Sequence, residues 1–191
     1  HRGEWVAPLS TRYRDVDILE LPPNTQGVAV LEALRILDEL GPLPPDGLDR
    51  QHRLMEVTKL ALADRDAYVT DPEHMRINPA QLLSTSWVRE RAALFDPTQA
   101  REPVRVRSVD SGTAYLCAAD RGGMLVSLIQ SNFLGFGSGL TVPRWGINLH
   151  DRGATFSLDD GHPNVVAPRK RTLHTLLPAM ALRDGSPWLA F

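Results

Sequence analysis

The hydrophobic period of this chain shifts from mostly helical to mostly strand-like near residue 112, and that change restricts the folds open to it. Before it, apolar residues recur at helical spacing. After it, they alternate or run in short blocks parted by glycine-rich turns. Helices followed by hairpin-linked strands define an α+β chain with antiparallel sheets, not alternating βαβ units. With 191 residues, 42% of them hydrophobic, the chain can fill one sizeable core, so both textures belong to one domain or domain fragment.

Residues 16–20 alternate apolar and acidic side chains, as a half-buried strand does, and Pro22-Pro23 ends the run. Asn24 or Thr25 is placed to cap a helix whose stripe is Val30, Leu34, Leu37 and Leu40, stopped by Gly41-Pro42. A second helix is predicted over 48–69, burying Leu54, Val57, Leu60, Ala61 and Tyr68. Asn78-Pro79 starts a short helix, and 87–95 forms another, closed by Asp96-Pro97. The polar stretch 97–110 reads as an exposed connector. Beyond it, 115–119 and 124–130 are strand-like, with Asp120-Arg121-Gly122-Gly123 as their hairpin turn. A glycine-rich loop (Gly135, Gly137, Gly139) precedes a short strand at 147–149. An irregular stretch over 151–172 follows, and the chain closes on a hairpin of 179–182 and 188–191.

Charge narrows the function. A net charge of −2 argues against nonspecific nucleic-acid binding. The basic clusters Arg101/Arg105/Arg107 and Arg169-Lys170-Arg171 are short and read as solvated surface. No apolar run nears the ~18 residues of a membrane span, and no signal-peptide pattern opens the chain. The single cysteine, Cys117, lies in an apolar run that predicts a buried, inert thiol. Trp5, Trp87, Trp145 and Trp188 read as core or semi-buried. The compartment stays open, with the cytoplasm favoured over periplasm or secretion.

Chemistry enters at Gly112-Thr113, where an exposed linker meets a strand. Glycine before a scissile bond lets the peptide adopt a strained geometry. The Thr113 hydroxyl can then attack the Gly112 carbonyl, and hydrolysis of the resulting ester frees the Thr113 amine. An α-amine has a pKa of roughly 7.7–8.0, so near neutral pH it serves as base to its own hydroxyl. Most Gly-Thr steps entering a strand are nevertheless structural.

The order and spacing of further motifs point to a family. Pro22-Pro23-Asn24-Thr25-Gln26-Gly27, Ala63-Asp64-Arg65, Tyr68 and Asp71-Pro72 resemble the end of a gamma-glutamyltransferase large subunit. Thr113-Ala114-Tyr115, Gly135-Phe136-Gly137-Ser138-Gly139, Pro143, Gly146, Phe156-Ser157, Pro168 and Lys170-Arg171 resemble the start of the small subunit. The resemblance implies an N-terminal-nucleophile (Ntn) hydrolase, an αββα sandwich of which this chain is part. Residues 1–112 would be large-subunit-like and 113–191 small-subunit-like. It further implies autoprocessing of a zymogen between Gly112 and Thr113. The resulting heterodimer, with homo-oligomers as an option, would transfer or hydrolyse a gamma-glutamyl or similar acyl group through an acyl-threonine, with no metal or organic cofactor. By position, Thr113 is the nucleophile and Ser131 the hydroxyl near its amine.

Several positions depart from the family pattern. Ala114 and Tyr115 stand where a second threonine and a histidine are usual, and Phe133 replaces an asparagine, with Asn132 displaced by one. The residues that read the substrate's amino group become Arg152 and Thr155, and the paired serines become His174 and Thr175. These four are the candidate substrate-binding residues. His150-Asp151-Arg152-Gly153, Gly161-His162-Pro163-Asn164 and His174-Thr175 resemble the acylase-like branch instead, so a glutaryl or other acyl amide is expected about as readily as a gamma-glutamyl one. The family's oxyanion glycines are expected just past Phe191 and its carboxylate-holding arginine before His1. Losing one oxyanion donor costs ~10²–10³ in rate.

Other readings compete with this one. The 135–139 loop lacks the Lys-Ser/Thr of a phosphate cradle. His150, Asp151, Asp159, Asp160 and His162 could make a metal-dependent hydrolase, but their spacing fits no strong metal signature. From a different class, an uncleaved, non-catalytic piece could act by association through an open edge at the final strand.

Overall fold

The computed structural model describes residues 3–102 and 112–191. Strand β2 (Val16–Glu20) buries Val16, Ile18 and Glu20 on one face, the expected alternation. It pairs antiparallel with β1 (Leu9–Tyr13), from Leu9 opposite Glu20 to Tyr13 opposite Val16. Helix α1 (Gly27–Glu39) lies on this hairpin, with Leu31 packed among Val16, Ile18 and Ala181. The start of α1 passes so close to β2 that a Cβ on Gly27 would lie 2.7 Å from the Glu20 Cβ. Only glycine fits there.

The α1 cap differs from expectation. Gln26, not Asn24 or Thr25, is the N-cap residue and its own side chain makes no cap bond, while the Thr25 hydroxyl accepts the Gly27 N–H at 3.4 Å. The same hydroxyl donates to the Leu21 carbonyl at 2.8 Å, and Asn24 donates across the chain to the Thr172 carbonyl at 2.7 Å. Both are committed to fixing the strand-to-helix corner. At the far end Gly41 takes φ of 80° and its N–H meets the Asp38 carbonyl, the left-handed stop that was predicted.

Helix α2 (Leu48–Tyr68) and α4 (Thr85–Ala92) close the core over the outer face of α1. Ile36 and Leu37 meet Val57, Leu60, Val88 and Ala92 there. α4 begins earlier than the predicted 87, because Ser84 accepts the Trp87 N–H. It ends earlier too, passing into tighter turns at Leu94 and Phe95. Between them α3 (Pro79–Leu82) carries a reciprocal cap: Asn78 accepts from the Ala80 N–H and Gln81 accepts from the Asn78 N–H. Most of the predicted connector lies outside the described residues, as do Arg105 and Arg107.

Beyond residue 112, β3 (Thr113–Ala119) and β4 (Leu125–Ser131) form a hairpin sheet in the predicted places. A two-stranded ribbon follows, β5 (Thr141–Val142) with β6 (Ile147–Asn148), then a 3-10 turn at Arg152–Thr155. Finally β7 (Met180–Arg183) and β8 (Ser186–Ala190) join the first sheet in the order β1-β2-β7-β8, antiparallel throughout. Asp184 and Gly185 between them both take positive φ, as a two-residue hairpin turn of the mirror-image type requires. Sheet one is therefore built from both sides of residue 112.

Two expectations are corrected. Cys117 is exposed, not buried, because every position of β3 is open to solvent among the described residues. Trp5, Trp145 and Trp188 are likewise exposed, and of the four tryptophans only Trp87 packs against a core cluster. Among the described residues no helix is long and apolar enough to cross a membrane.

Candidate active site

Thr113 is the first residue of β3. It is exposed, and its ladder partner is Ser131, the last residue of β4. The geometry that would carry the predicted chemistry is thus an open strand end. The Ser131 Oγ accepts the Phe133 N–H at 2.8 Å, which leaves its own proton to donate. Phe133 takes φ of 79° to make this turn. Its ring then lies under the Arg152 guanidinium, 5.0 Å from centroid to Cζ.

Arg152 sits on the 3-10 turn and is buried. Its Nη1 donates to the Thr175 hydroxyl at 2.9 Å. Thr155, one turn on, donates to the Arg152 carbonyl at 2.7 Å and lies 3.0 Å from the Thr172 hydroxyl. His174 loses solvent and faces the positive Arg152 and then His150. Its pKa falls to about 4, and the ring is neutral at physiological pH. Its Nδ1 accepts the Leu176 N–H at 3.3 Å, so the ring proton is on Nε2. The structure therefore brings Arg152, Thr155, His174 and Thr175 together and links them to Thr113 through Ser131 and Phe133.

Several residues of this neighbourhood were not singled out as functional by sequence. Gln26 Nε2 donates to the Thr175 carbonyl at 2.8 Å, and Arg65 Nη1 donates to Gln26 Oε1 at 2.7 Å. Thr25 and His174 form an isolated parallel bridge beside them. The available signal was the polar triplet Asn24-Thr25-Gln26 wedged between two prolines and a helix, where helix caps alone would not need three such residues. Asn164, the last residue of Gly161-His162-Pro163-Asn164, is buried and bonds through both its side-chain amide and its side-chain oxygen. Among the described residues no three histidine, cysteine, aspartate or glutamate side chains gather where one metal ion could be held.

The described residues thus form a mixed helix and antiparallel-sheet fold with an exposed threonine at the start of a strand. The family model for gamma-glutamyltranspeptidase matches residues 1–191, and the chain belongs to that family. It is 39% identical over 193 residues to the glutathione hydrolase-like YwrD proenzyme of Bacillus subtilis, covering 100% of this chain and 36% of that protein. It is 38% identical to the oxamate amidohydrolase proenzyme of Klebsiella pneumoniae, covering 97% of this chain and 35% of that one. Among solved structures, cephalosporin acylase from Bacillus halodurans superposes with a TM-score of 0.89 at 40% identity, over 100% of this chain and 34% of that one. The chain spans about a third of the length of these relatives.

Proposed function

We propose that this chain is the processing and nucleophile-bearing part of an amidohydrolase or acyltransferase that cuts itself before Thr113. The Thr113 Oγ1 attacks the Gly112 carbonyl carbon, the C–N bond breaks, and the nitrogen leaves as the free Thr113 amine. Water then hydrolyses the ester. In turnover the amine takes the hydroxyl proton as Oγ1 attacks the substrate's amide carbonyl, and the leaving amine departs with a proton. Water, or an acceptor amine, releases the acyl group from the threonine ester. Ser131 supplies a hydrogen bond to the new amine. The observation that carries this reading is the position of Thr113: exposed, first in its strand, and facing Ser131.

In the same reading residues 1–112 and 113–191 are large- and small-subunit-like segments. The sheet β1-β2-β7-β8 with its helices is one half of the αββα sandwich, and β3–β4 belongs to the other. Gel electrophoresis under denaturing conditions with N-terminal sequencing tests the proposal. Two bands are expected, one beginning at Thr113, and Thr113→Ala should remain one chain. The substrate is a gamma-glutamyl or glutaryl-type amide, distinguished by turnover of the two anilides.

A second reading, association without catalysis, draws on the exposed Tyr115, Leu116, Val126 and Leu128 of β3 and β4 and the exposed Trp188 and Leu189 of β8. A wild-type chain that stays uncut after prolonged incubation, yet self-associates, would favour it.

A further inference from the structure

His52, Glu56 and Lys59 follow one another at helical spacing along one face of α2, and the chain leaving α4 lies along that face. Asp96 Oδ1 accepts the Thr98 N–H at 2.7 Å and the Gln99 N–H at 3.2 Å, the side-chain turn that starts this stretch. His52 Nε2 donates to the Asp96 carbonyl at 2.8 Å. Further on, the Arg101 N–H donates to Glu56 Oε2 at 3.0 Å, and Lys59 Nζ donates to the Arg101 carbonyl at 3.1 Å. The Arg101 guanidinium donates back to the Leu94 carbonyl at 2.6 Å.

Both backbone polar groups of Arg101 are thus held, one by an anion and one by a cation, and the two holders are themselves paired at 2.6 Å. Glu56 is 3% exposed. Burial raises its pKa, but the bonds from Lys59 and from the Arg101 N–H outweigh burial and keep it below its ordinary value. A buried ion pair adds little net stability over apolar packing. What this pair does is fix the place and direction of one backbone unit near the end of the described part of the connector. At the other end Thr113 is fixed in register with Ser131. Residues 102–112 join these two points, and the carbonyl to be attacked belongs to the last of them.

We propose that Glu56 and Lys59 are positioning residues for self-cleavage: by clamping Arg101 to α2 they set the length and direction of the segment that presents the Gly112 carbonyl to Thr113. Their role rests on the self-cleavage proposed above. Without the clamp the nearest held backbone upstream is the Asp96 carbonyl on His52, so residues 97–101 join the free segment. A longer segment brings its ends together less often, and a misplaced reacting carbonyl costs more still. Neither side chain bonds to Arg152, Thr155, His174 or Thr175, so the clamp serves cutting and not turnover.

Cutting before Thr113 is timed on denaturing gels from freshly synthesised wild-type protein, Glu56→Ala, Glu56→Gln, Lys59→Met, and wild type with Gly-Ser-Gly-Ser inserted after Glu102. Each is also assayed for anilide turnover once fully cut. Trypsin cleavage after Arg101 is followed in the uncut Thr113→Ala protein with and without Glu56→Ala. Glu56→Ala, Lys59→Met and the insertion should each slow cutting at least roughly twofold, the effect of segment length alone. Glu56→Gln, which keeps an oxygen for the Arg101 N–H, should fall between. Turnover per cut molecule should not change, and trypsin should cut faster once Glu56 is lost. The insertion leaves α2 intact, so the comparison stands even if a substitution fails to fold. Wild-type cutting rates in the substituted and lengthened proteins, or turnover that falls in step with cutting, would overturn the positioning role alone. A wild-type protein that never cuts would overturn self-cleavage and the positioning role with it, and trypsin would then report only whether Arg101 is held.

Discussion

The Asn164 side-chain amide donates a 2.9 Å hydrogen bond to the Val69 carbonyl, tying together segments from either side of residue 112. The same side chain accepts the Leu173 N–H at 2.9 Å through Oδ1. It is buried, and its backbone N–H and carbonyl are also bonded, to His162 Nδ1 and the Ser157 N–H. Asp71 adds a second tie, accepting the Arg171 N–H at 2.7 Å. The β2–β7 ladder supplies a third. Pieces created by cleavage before Thr113 would therefore stay joined.

Removing the first tie gives a prediction. Asn164→Ala leaves the Val69 carbonyl and the Leu173 N–H without their partner, and each buried orphan costs about 1–3 kcal/mol. Denaturant unfolding should show a loss of at least about 2 kcal/mol, with Asn164→Asp intermediate, since it keeps the acceptor and loses the donor. A variant as stable as wild type would mean that water replaces both bonds.

How much of this was legible in the sequence depends on where the information lies. The short elements announce themselves locally: β2 by alternation, α3 by Asn78-Pro79, and the β3–β4 turn by its paired glycines. β1 did not, because its buried position is Thr11, and a threonine on the inner face erases the apolar alternation. The β2–β7 pairing joins residues far apart in sequence, and no local signal encodes it. Arg152, Thr155, His174 and Thr175 were grouped by position in a family pattern, and their segments do lie together. The Gln26–Arg65 support behind Thr175 was not, because its hydrogen bonds cross between distant segments. Cys117 was misread because an apolar run predicts burial only where another element covers it.

Ser131 faces Thr113 across the ladder, and Ser131→Ala tests whether its hydroxyl matters to the chemistry. The variant gives up the bond from the Phe133 N–H at a half-buried strand end and should lose about 1 kcal/mol of stability while staying folded. Cutting before Thr113 and later anilide turnover should each slow by roughly 10- to 100-fold, the worth of one hydrogen bond to a charged group. Ser131→Thr, which restores a hydroxyl, should recover part of both rates. Unchanged rates in Ser131→Ala would reduce the pairing to strand geometry.

Two buried carboxyls set an alkaline limit to stability. Burial pushes Glu20 up to about 8 against a weaker pull from the Leu21 backbone. Burial, and then the neighbouring Asp64 carboxylate, push Glu32 up to about 9. Both are protonated in the folded chain at neutral pH and ionised in the unfolded one. The stability they contribute is complete only below the ordinary carboxylate pKa, shrinks above it, and is gone once pH passes about 9. Asp71 runs the other way. Burial raises it, but the Arg171 hydrogen bonds outweigh burial and hold it low, so its contribution is lost only in acid. Thermal midpoints should thus fall from pH 6 to pH 9, and Glu20→Gln with Glu32→Gln should flatten that slope. A slope unchanged in the double variant would assign it to other groups.

The Glu32–Asp64 pair separates a carboxyl that is neutral from one that is charged. Arg91 holds Asp64 with two bonds, Nε to Oδ2 at 2.5 Å and Nη2 to Oδ1 at 2.9 Å. Trp87 Nε1 bridges the two acids, 2.9 Å from Glu32 Oε1 and 3.0 Å from Asp64 Oδ2. The Arg91 guanidinium also stacks over the Trp87 ring at 4.4 Å. One guanidinium cannot balance two buried anions, so the proton belongs on Glu32, which has no bond at Oε2. Glu32→Gln keeps an acceptor for Trp87 and removes the cost of protonating the acid on folding, so it should be at least as stable as wild type at pH 7. Asp64→Ala strands Arg91 and should cost about 3 kcal/mol or more, the low end for breaking a buried ion pair. Equal losses in the two variants, measured by urea unfolding at one pH, would show that both acids are ionised and that the proton is elsewhere.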